Sequence, residues 1–264
     1  MIVGIIAGLL ILNLCIVIHE LGHYVVMRRN GVKVTEFAVG FGRLLFQVRT
    51  KSGMAISLRL IPLGGYVCPA EKGPESVERQ GFWPQMKIYA AGMFFNATAS
   101  FVMLAAMCLI IGVPKTQLDA YLAGIPKILH GPLVVLAGSY GIWIATPALI
   151  VYLLFTTGLG LFTGSAGPIG MMSMSGHMVS GSSSASEAIM KLFIFFVMIN
   201  SSLAGFNLLP LSILDGGHMF RLALTKIFGQ RSKMFLNVFA YVSSAMLLLL
   251  FGGVIASDIL RIFR

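Results

Sequence analysis

Residues 2–27 read IVGIIAGLLILNLCIVIHELGHYVVM, and the first part of this apolar run, 2–18, contains no charged residue. A helix needs about 20 apolar residues to cross the hydrocarbon core of a bilayer, so the run predicts a membrane span. Strongly polar side chains are costly inside a span and usually face a polar interior. The group His19-Glu20-Leu21-Gly22-His23 is therefore the first place to look for a function.

The composition is that of an integral membrane protein. Of the 264 residues, 57% are hydrophobic and only 11% are charged, and the mean hydropathy is +0.90. These values exclude a soluble, collagen-like or disordered chain. The cysteines Cys15, Cys68 and Cys108 are far apart and odd in number. Neither a disulfide framework nor a cysteine zinc site is therefore predicted.

The net charge of +10 is concentrated in two stretches of the chain. Ten of the 19 Lys and Arg residues fall within 28–87, and four more fall within 221–233. Basic clusters beside apolar segments follow the positive-inside rule and predict cytoplasmic loops. No nucleic-acid recognition motif accompanies the charge, so nucleic-acid binding is not expected.

Four apolar segments are long enough to cross a bilayer. They lie at about 2–27, 86–111, 188–209 and 235–255. The predicted fold class is an all-α membrane protein, a polytopic transmembrane helical bundle with about four core spans, which forms a single domain over 1–264. A further apolar stretch, 133–162, contains proline and glycine. A single crossing there would place the two basic clusters on opposite sides of the membrane, against the positive-inside rule. The stretch is therefore expected to be a non-spanning hydrophobic helix on the outer side or, as the alternative, one half of a hairpin that crosses twice.

The polar region between the first two spans contains a predicted β-hairpin. Residues 43–61 alternate between apolar and polar types on either side of Lys51-Ser52-Gly53, a pattern typical of two strands joined by a tight turn. Ile61-Pro62-Leu63-Gly64-Gly65-Tyr66 is expected to end the strand pattern. We expect the hairpin to associate with the membrane. The Ser/Gly-rich segment 176–186 is expected to form a loop.

His19, Glu20 and His23 have the spacing of a zinc-binding helix. Positions i and i+4 share a helix face, so the two imidazoles can bind one Zn²⁺ while the intervening glutamate acts as general base toward water. The alternative is that they are ordinary polar residues at a helix end, among the lipid headgroups. Their position inside an apolar segment favours the metal site.

A zinc site of this type needs a third protein ligand, and Asp215 is the carboxylate that stands out. It follows the apolar run 193–214. Pro210 in that run would free a backbone carbonyl, and Gly216-Gly217 would let the chain bend beside the metal. The alternative interpretation of Asp215 is a helix cap or a turn residue.

With these residues in view, the chain resembles the site-2 protease family of intramembrane zinc metalloproteases, most closely its regulator-of-sigma-E protease branch. The motifs that carry the resemblance cover both ends and most of the length. They are His19–His23, Gly40-Phe41-Gly42, Ile61–Val67, Gly167-Pro168-Ile169 and Asn207–His218.

The resemblance implies a role for each matching residue. By role these are the zinc ligands His19, His23 and Asp215, the general base Glu20, the residue Asn207 that helps hold substrate or oxyanion, and the substrate-binding residues Asn96, Gly64 and Gly65. It also implies that the hairpin enters the active-site side and pairs with an unwound substrate strand.

The resemblance further implies an endopeptidase of the bacterial inner membrane, multi-pass, with Zn²⁺ as cofactor. Its expected partners are the lipid bilayer and single-pass transmembrane substrates such as anti-sigma factors or signal-peptide remnants. Two departures stand out: Met93 replaces a proline of the family's second span, and the residues between 111 and 167 leave no room for the PDZ domain of close relatives. A metal transporter and a catalytically inactive membrane chaperone are the alternative functions.

Overall fold

The computed structural model describes residues 1–70, 73–107 and 168–262. The stretch 133–162 and the predicted end of the second span at 111 lie outside these residues. In chain order, the described elements are α1 Ile2–Arg29, β1 Val34–Arg49, β2 Ala55–Pro69, α2 Phe82–Ala106, α3 Pro168–Ser180, α4 Ala185–Asn207, α5 Asp215–Phe228 and α6 Lys233–Ile262, with 3₁₀ turns at Val77–Arg79 and Gly229–Ser232.

Four of these helices, α1, α2, α4 and α6, are long and apolar enough to cross a membrane. The polytopic helical fold class, with a β-hairpin between the first two spans, is thereby confirmed. The expected loop at 176–186 is shorter than the sequence suggested, because α3 continues to Ser180. The next helix, α4, begins with the Ser184 side chain accepting a hydrogen bond from the Glu187 backbone, a serine N-cap.

Small residues let α1 pack closely against α3 and α2. A Cβ at Gly4 would lie 2.7 Å from the Ser175 carbonyl oxygen, and a Cβ at Gly22 would lie 2.6 Å from the Ala91 carbonyl oxygen. Helix backbones in a membrane approach this closely where glycine or another small residue lies between them. α1 is thus the central helix, in contact with α2, α3 and α4.

Buried polar side chains join α1, α2 and α4 inside the bundle. Ser201 Oγ donates to Ser100 Oγ at 3.1 Å, and Asn200 Nδ2 donates to Cys15 Sγ at 2.9 Å. All four residues are buried. Because the interior of a bilayer offers no water as an alternative partner, these pairs favour one relative depth of the helices.

β1 and β2 form a bent hairpin in which one stretch of β1 has partners on both sides. Phe37 pairs with Val67 and also with Ile56. This arrangement requires the strands to bend, and β1 does so at Gly40, whose φ of +87° favours glycine. The hairpin therefore forms a small folded sheet rather than a flat ribbon.

The hairpin is longer than the predicted segment 43–61. The expectation that 61–66 ends the strand pattern is wrong, because β2 continues to Pro69. The partner of this last stretch is 34–39, at the far end of β1. Local alternation could not reveal a pairing between residues so distant in sequence.

The turn end of the hairpin exposes apolar side chains. The side chains concerned, each at least 41% exposed, are Phe41, Leu44, Leu45, Phe46, Val48, Ile56, Leu58, Leu60, Ile61 and Leu63. A patch of this kind on a protein surface marks contact with lipid or with another protein. Beside the four apolar helices of the described residues, it supports a membrane-associated hairpin.

Gly4→Ala should destabilise the folded protein, because the added methyl group overlaps the backbone of α3. Overpacking of this kind costs about 1–3 kcal/mol, which should lower the midpoint temperature of thermal unfolding measured in detergent. The matched control is Gly252→Ala in α6, where a Cβ meets no atom of the described residues within 4 Å. Equal midpoints for the two variants would contradict the close packing of α1 on α3.

Candidate metal centre

α1 places two imidazole rings on one face inside the bundle. His19 and His23, one helical turn apart, are both buried, and their Nε2 atoms lie 3.2 Å apart. Side chains four residues apart on a helix lie one above the other, which explains why the rings meet. The two nitrogens therefore face one common point.

Asp215 reaches the same point from the other end of the chain. α4 ends at Asn207, and the turn that contains Pro210 leads into α5, whose first residue is Asp215. Asp215 Oδ2 lies 3.0 Å from His19 Nε2 and 3.2 Å from His23 Nε2. The alternative interpretation of Asp215 as a helix cap is wrong, because the N-cap of α5 is Leu214 and Asp215 lies within the first turn of the helix.

The two glycines after Asp215 serve close packing rather than a bend. Gly216 and Gly217 lie in the first turn of α5, and neither has a positive φ. A Cβ at Gly216 would overlap the Leu208 carbonyl, and one at Gly217 would overlap the Leu211 carbonyl. The expected bend is therefore wrong: the glycines let α5 fold back against the end of α4.

Hydrogen bonds at the opposite nitrogens decide which atoms of the two rings are acceptors. His23 Nδ1 lies 2.8 Å from the Ile88 carbonyl oxygen, which can only accept, so Nδ1 bears the hydrogen. His19 Nδ1 lies 3.4 Å from the Asn96 amide, whose Oδ1 has no partner among the described residues. Turning that amide over pairs Oδ1 with an Nδ1 hydrogen and gives His19 the same tautomer.

With both rings in this tautomer, three acceptor atoms converge without a hydrogen between them. They are His19 Nε2, His23 Nε2 and Asp215 Oδ2. Their lone pairs repel one another unless a cation binds between them or a ring takes up a second proton. Zn²⁺ with tetrahedral bonds of about 2.1 Å would separate its ligand atoms by about 3.4 Å. The observed separations of 3.0, 3.2 and 3.2 Å are close to this value, so the donor set fits zinc.

Gly92 of α2 leaves the space that this centre occupies. A Cβ there would lie 2.5 Å from His19 Cε1 and 2.5 Å from His23 Nε2. Sequence reasoning assigned no role to Gly92, because glycine has no side chain with chemistry. The feature that could have indicated this role is a glycine inside an apolar helix, one turn before Asn96. A glycine at such a position often marks a place where another part of the protein packs closely against the helix.

The side chain of Glu20, a residue of α1, lies beside the last stretch of β2. A Cβ at Gly65 would lie 3.7 Å from Glu20 Cγ, and the Val67 backbone approaches the Glu20 carboxyl group. The part of the hairpin beside Glu20 is therefore 65–67, outside the predicted hairpin segment. Gly64, by contrast, packs against the ring of Phe41.

The two asparagines differ in their relation to the three converging atoms. Asn96 is fully buried, and its amide lies 3.4 Å from His19 Nδ1. Asn207 Nδ2 donates to the Leu203 carbonyl oxygen at 2.9 Å, one turn earlier in α4. Its described hydrogen bond therefore lies within its own helix.

Comparison with known proteins identifies the family. The sequence model of Peptidase family M50 matches residues 7–250, which include α1, the hairpin and Asp215. The chain belongs to peptidase family M50. The resemblance to the site-2 proteases is thereby confirmed.

Relatives of this M50 chain include three proteins that are provisionally named zinc metalloproteases. The one from Vibrio cholerae is 36% identical over 121 residues, which are 42% of this chain and 26% of that protein. The one from Thermotoga maritima is 33% identical over 128 residues, 45% of this chain and 25% of that protein. The one from Streptococcus pneumoniae is 39% identical over 75 residues, 28% of this chain and 18% of that protein. The M50 chain thus matches only a minor part of each relative's length.

Gly92→Ala should lower the metal content of this M50 chain, because the methyl group takes the space between the rings of His19 and His23. We expect bound metal per protein, measured by plasma mass spectrometry after dialysis, to fall about tenfold or more. The control is Gly81→Ala, where the nearest atom to a Cβ is Pro84 Cδ at 3.7 Å. If both variants kept the metal content of the unaltered chain, the centre would not lie where the rings converge.

Proposed function

We propose that the chain is an intramembrane zinc endopeptidase that cleaves transmembrane segments of other membrane proteins. The observation that carries the proposal is the convergence of His19 Nε2, His23 Nε2 and Asp215 Oδ2 on one point inside the bundle. Two of these groups belong to a helix long enough to cross a bilayer. Membership of family M50 and the names of the relatives support the same activity.

His19, His23 and Asp215 are the proposed metal ligands, and Glu20 is the proposed general base. When bound, Zn²⁺ would polarise the scissile carbonyl and lower the pKa of the attacking water to about 7. Glu20 accepts a proton from this water as its oxygen bonds to the scissile carbon. Glu20 then donates a proton to the amide nitrogen as the carbon–nitrogen bond breaks. The hydrogen bonds at both Nδ1 atoms keep the Nε2 atoms directed at the metal position.

A transmembrane substrate must be unwound before cleavage, because its peptide bonds are hydrogen-bonded inside a helix. The stretch 65–67 pairs with β1, and its other edge lies toward Glu20. An extended strand that adds to this edge would replace the hydrogen bonds lost on unwinding. Gly65 lets this stretch pack closely on the Ala38 carbonyl oxygen of β1 while it lies beside Glu20. Asn207 is a further proposed contact to substrate or oxyanion, which requires its amide to turn away from Leu203.

The proposed substrates are single-pass membrane proteins, of the kind represented by anti-sigma factors and signal-peptide remnants, and the proposed location is the bacterial inner membrane. α1 ends with Arg28 and Arg29, and α6 begins with Lys233. By the positive-inside rule, these helix ends and the basic loops beside them face the cytoplasm.

Glu20→Gln should keep the bound zinc and abolish proteolysis, because the amide preserves the shape of the side chain and cannot accept the proton. Loss of a general base typically slows a reaction about 10²–10⁴-fold. The measurements are zinc content and turnover of a transmembrane model peptide. Zinc loss as large as that of His19→Ala would identify Glu20 as a ligand instead.

Asp215→Ala should remove both bound zinc and activity, because the two histidines alone provide too few ligands. The control is Glu75→Gln, an exposed carboxylate far from the histidines in sequence. Asp258 is unsuitable as a control, since it is buried and accepts a hydrogen bond from the Gly170 backbone. Unchanged zinc occupancy in Asp215→Ala would exclude Asp215 as a ligand.

The two measurements also separate the proposal from its alternatives. A metal transporter would bind zinc and move it across a vesicle membrane without cleaving the peptide. An inactive chaperone would bind the peptide and leave it whole. Cleavage that requires both zinc and Glu20 supports the endopeptidase alone.

A further inference from the structure

Glu36, Arg59 and Tyr66 form a polar network within the largely apolar hairpin. Arg59 Nη2 donates to Glu36 Oε1 at 3.0 Å, and the Tyr66 hydroxyl donates to Glu36 Oε2 at 3.0 Å. β2 also bends, within 60–64, because its residues on both sides of this segment pair with 36–39 of β1. Arg59 lies before this second bend and Tyr66 lies after it. One carboxylate of β1 therefore joins the two stretches of β2 that flank it.

Arg59 also holds the bend of β1. Its Nη1 donates to the Gly42 carbonyl oxygen at 3.0 Å. Gly40 and Gly42 have φ of +87° and +79°, so this bend uses backbone conformations that favour glycine. Only a planar guanidinium presents two donors in a fixed fork, which lets one side chain bind Glu36 and Gly42 together.

Aromatic contacts extend the network to the second bend. The Arg59 guanidinium carbon lies 5.5 Å from the centroid of the Tyr66 ring, and that ring stacks on Phe41 with centroids 6.4 Å apart. The Phe41 ring takes the space beside Gly64, where a Cβ would overlap it. The two bends of the hairpin are thus held against each other.

The surroundings make this network sensitive to the loss of either charge. Burial by itself would raise the pKa of Glu36, but hydrogen bonds from Ser57, Arg59 and Tyr66 outweigh it and hold the pKa below its ordinary value. Removing one partner of this partly buried ion pair, whose side chains are 23% and 20% exposed, leaves the other charge unpaired. The effect is larger than for an exposed pair, whose loss costs little.

Tyr66 connects the network to the proposed active site. It lies between Gly65 and Val67, the two residues of β2 that approach Glu20. Because successive side chains of a strand point to opposite faces, the tyrosine can bind the network while its neighbours face α1. Any shift of Tyr66 therefore moves the strand edge relative to Glu20.

We infer that Arg59, Glu36 and Tyr66 are positioning residues that set the register of the strand edge 65–67 relative to Glu20. They thereby determine which peptide bond of a transmembrane substrate is cut. This inference rests on the proposed function. A strand that slips along its partner presents a different bond to the base, so the position of the cut reports on the network directly.

The test uses the full chain with zinc bound, in detergent, and a transmembrane model peptide. The variants are Arg59→Met, Arg59→Lys and Tyr66→Phe. The matched control is Arg49→Met, an exposed arginine of β1 outside the network. The measurements are zinc content, kcat and KM, and the cut positions by mass spectrometry. A parallel set of variants in the Glu20→Gln background gives peptide affinity without cleavage.

We expect zinc content to stay unchanged in all the network variants. Arg59→Met should lower kcat/KM about 10–100-fold, as expected for a small misplacement of reacting groups, and should spread the cuts over neighbouring bonds. Arg59→Lys and Tyr66→Phe should shift the cuts in the same way with smaller losses of rate. Arg49→Met should match the unaltered chain in rate and cut position.

Two results would overturn the inference while the proposed function stands. One is an unaltered chain that cleaves and network variants that cut the same bond with unchanged kcat and KM. The other is a combination of two outcomes. Arg59→Met loses zinc or unfolds, and Arg59→Lys and Tyr66→Phe leave the cut positions unchanged. The network would then only stabilise the fold. If the unaltered chain neither binds nor cleaves the peptide, the proposed function and this inference both fall.

Discussion

Three lone-pair atoms facing one point inside a membrane helix bundle impose the main constraint on this protein. His19 Nε2, His23 Nε2 and Asp215 Oδ2 lie within 4.8 Å of one another. In apolar surroundings such a cluster is unfavourable without a cation. The structure therefore needs hydrogen-bond partners for the Nδ1 atoms and a space beside the rings that no side chain fills. The Ile88 carbonyl oxygen is the partner of His23 Nδ1. Gly92 leaves the space, because it has no side chain.

The position of Asp215 depends on elements that lie outside α1. The turn before Asp215 is joined to α6, because Ser212 Oγ and Ser243 Oγ are 2.6 Å apart and the Ser212 backbone also donates to Ser243 Oγ at 3.2 Å. α6 is joined to the start of α3 by the hydrogen bond from the Gly170 backbone to Asp258. α6 exposes much of its surface, yet these contacts connect it to the segment that presents the aspartate.

The hairpin combines an apolar surface with a polar network. Its outer part exposes apolar side chains, which suits lipid, while its interior contains the ion pair of Glu36 with Arg59. Bent strands lose the regular pairing of a flat ribbon, so additional bonds are needed to hold one geometry. Placing the charges between the two stretches of β2 supplies those bonds and leaves the strand edge at 65–67 beside Glu20.

The sequence by itself determined the features that lie within one continuous segment. Hydropathy over about 20 residues identified the membrane helices, and the spacing of His19 and His23 predicted a shared face, because both depend on local geometry. Only the tertiary structure decided that Gly92 borders the rings, that Asn96 contacts His19, and that 34–39 pairs with 65–69. Those contacts join residues far apart in the chain, where no periodicity connects them. Asp215 combines the two cases. The sequence identified it as a candidate ligand, whereas its approach to the histidines depended on how α4 and α5 pack.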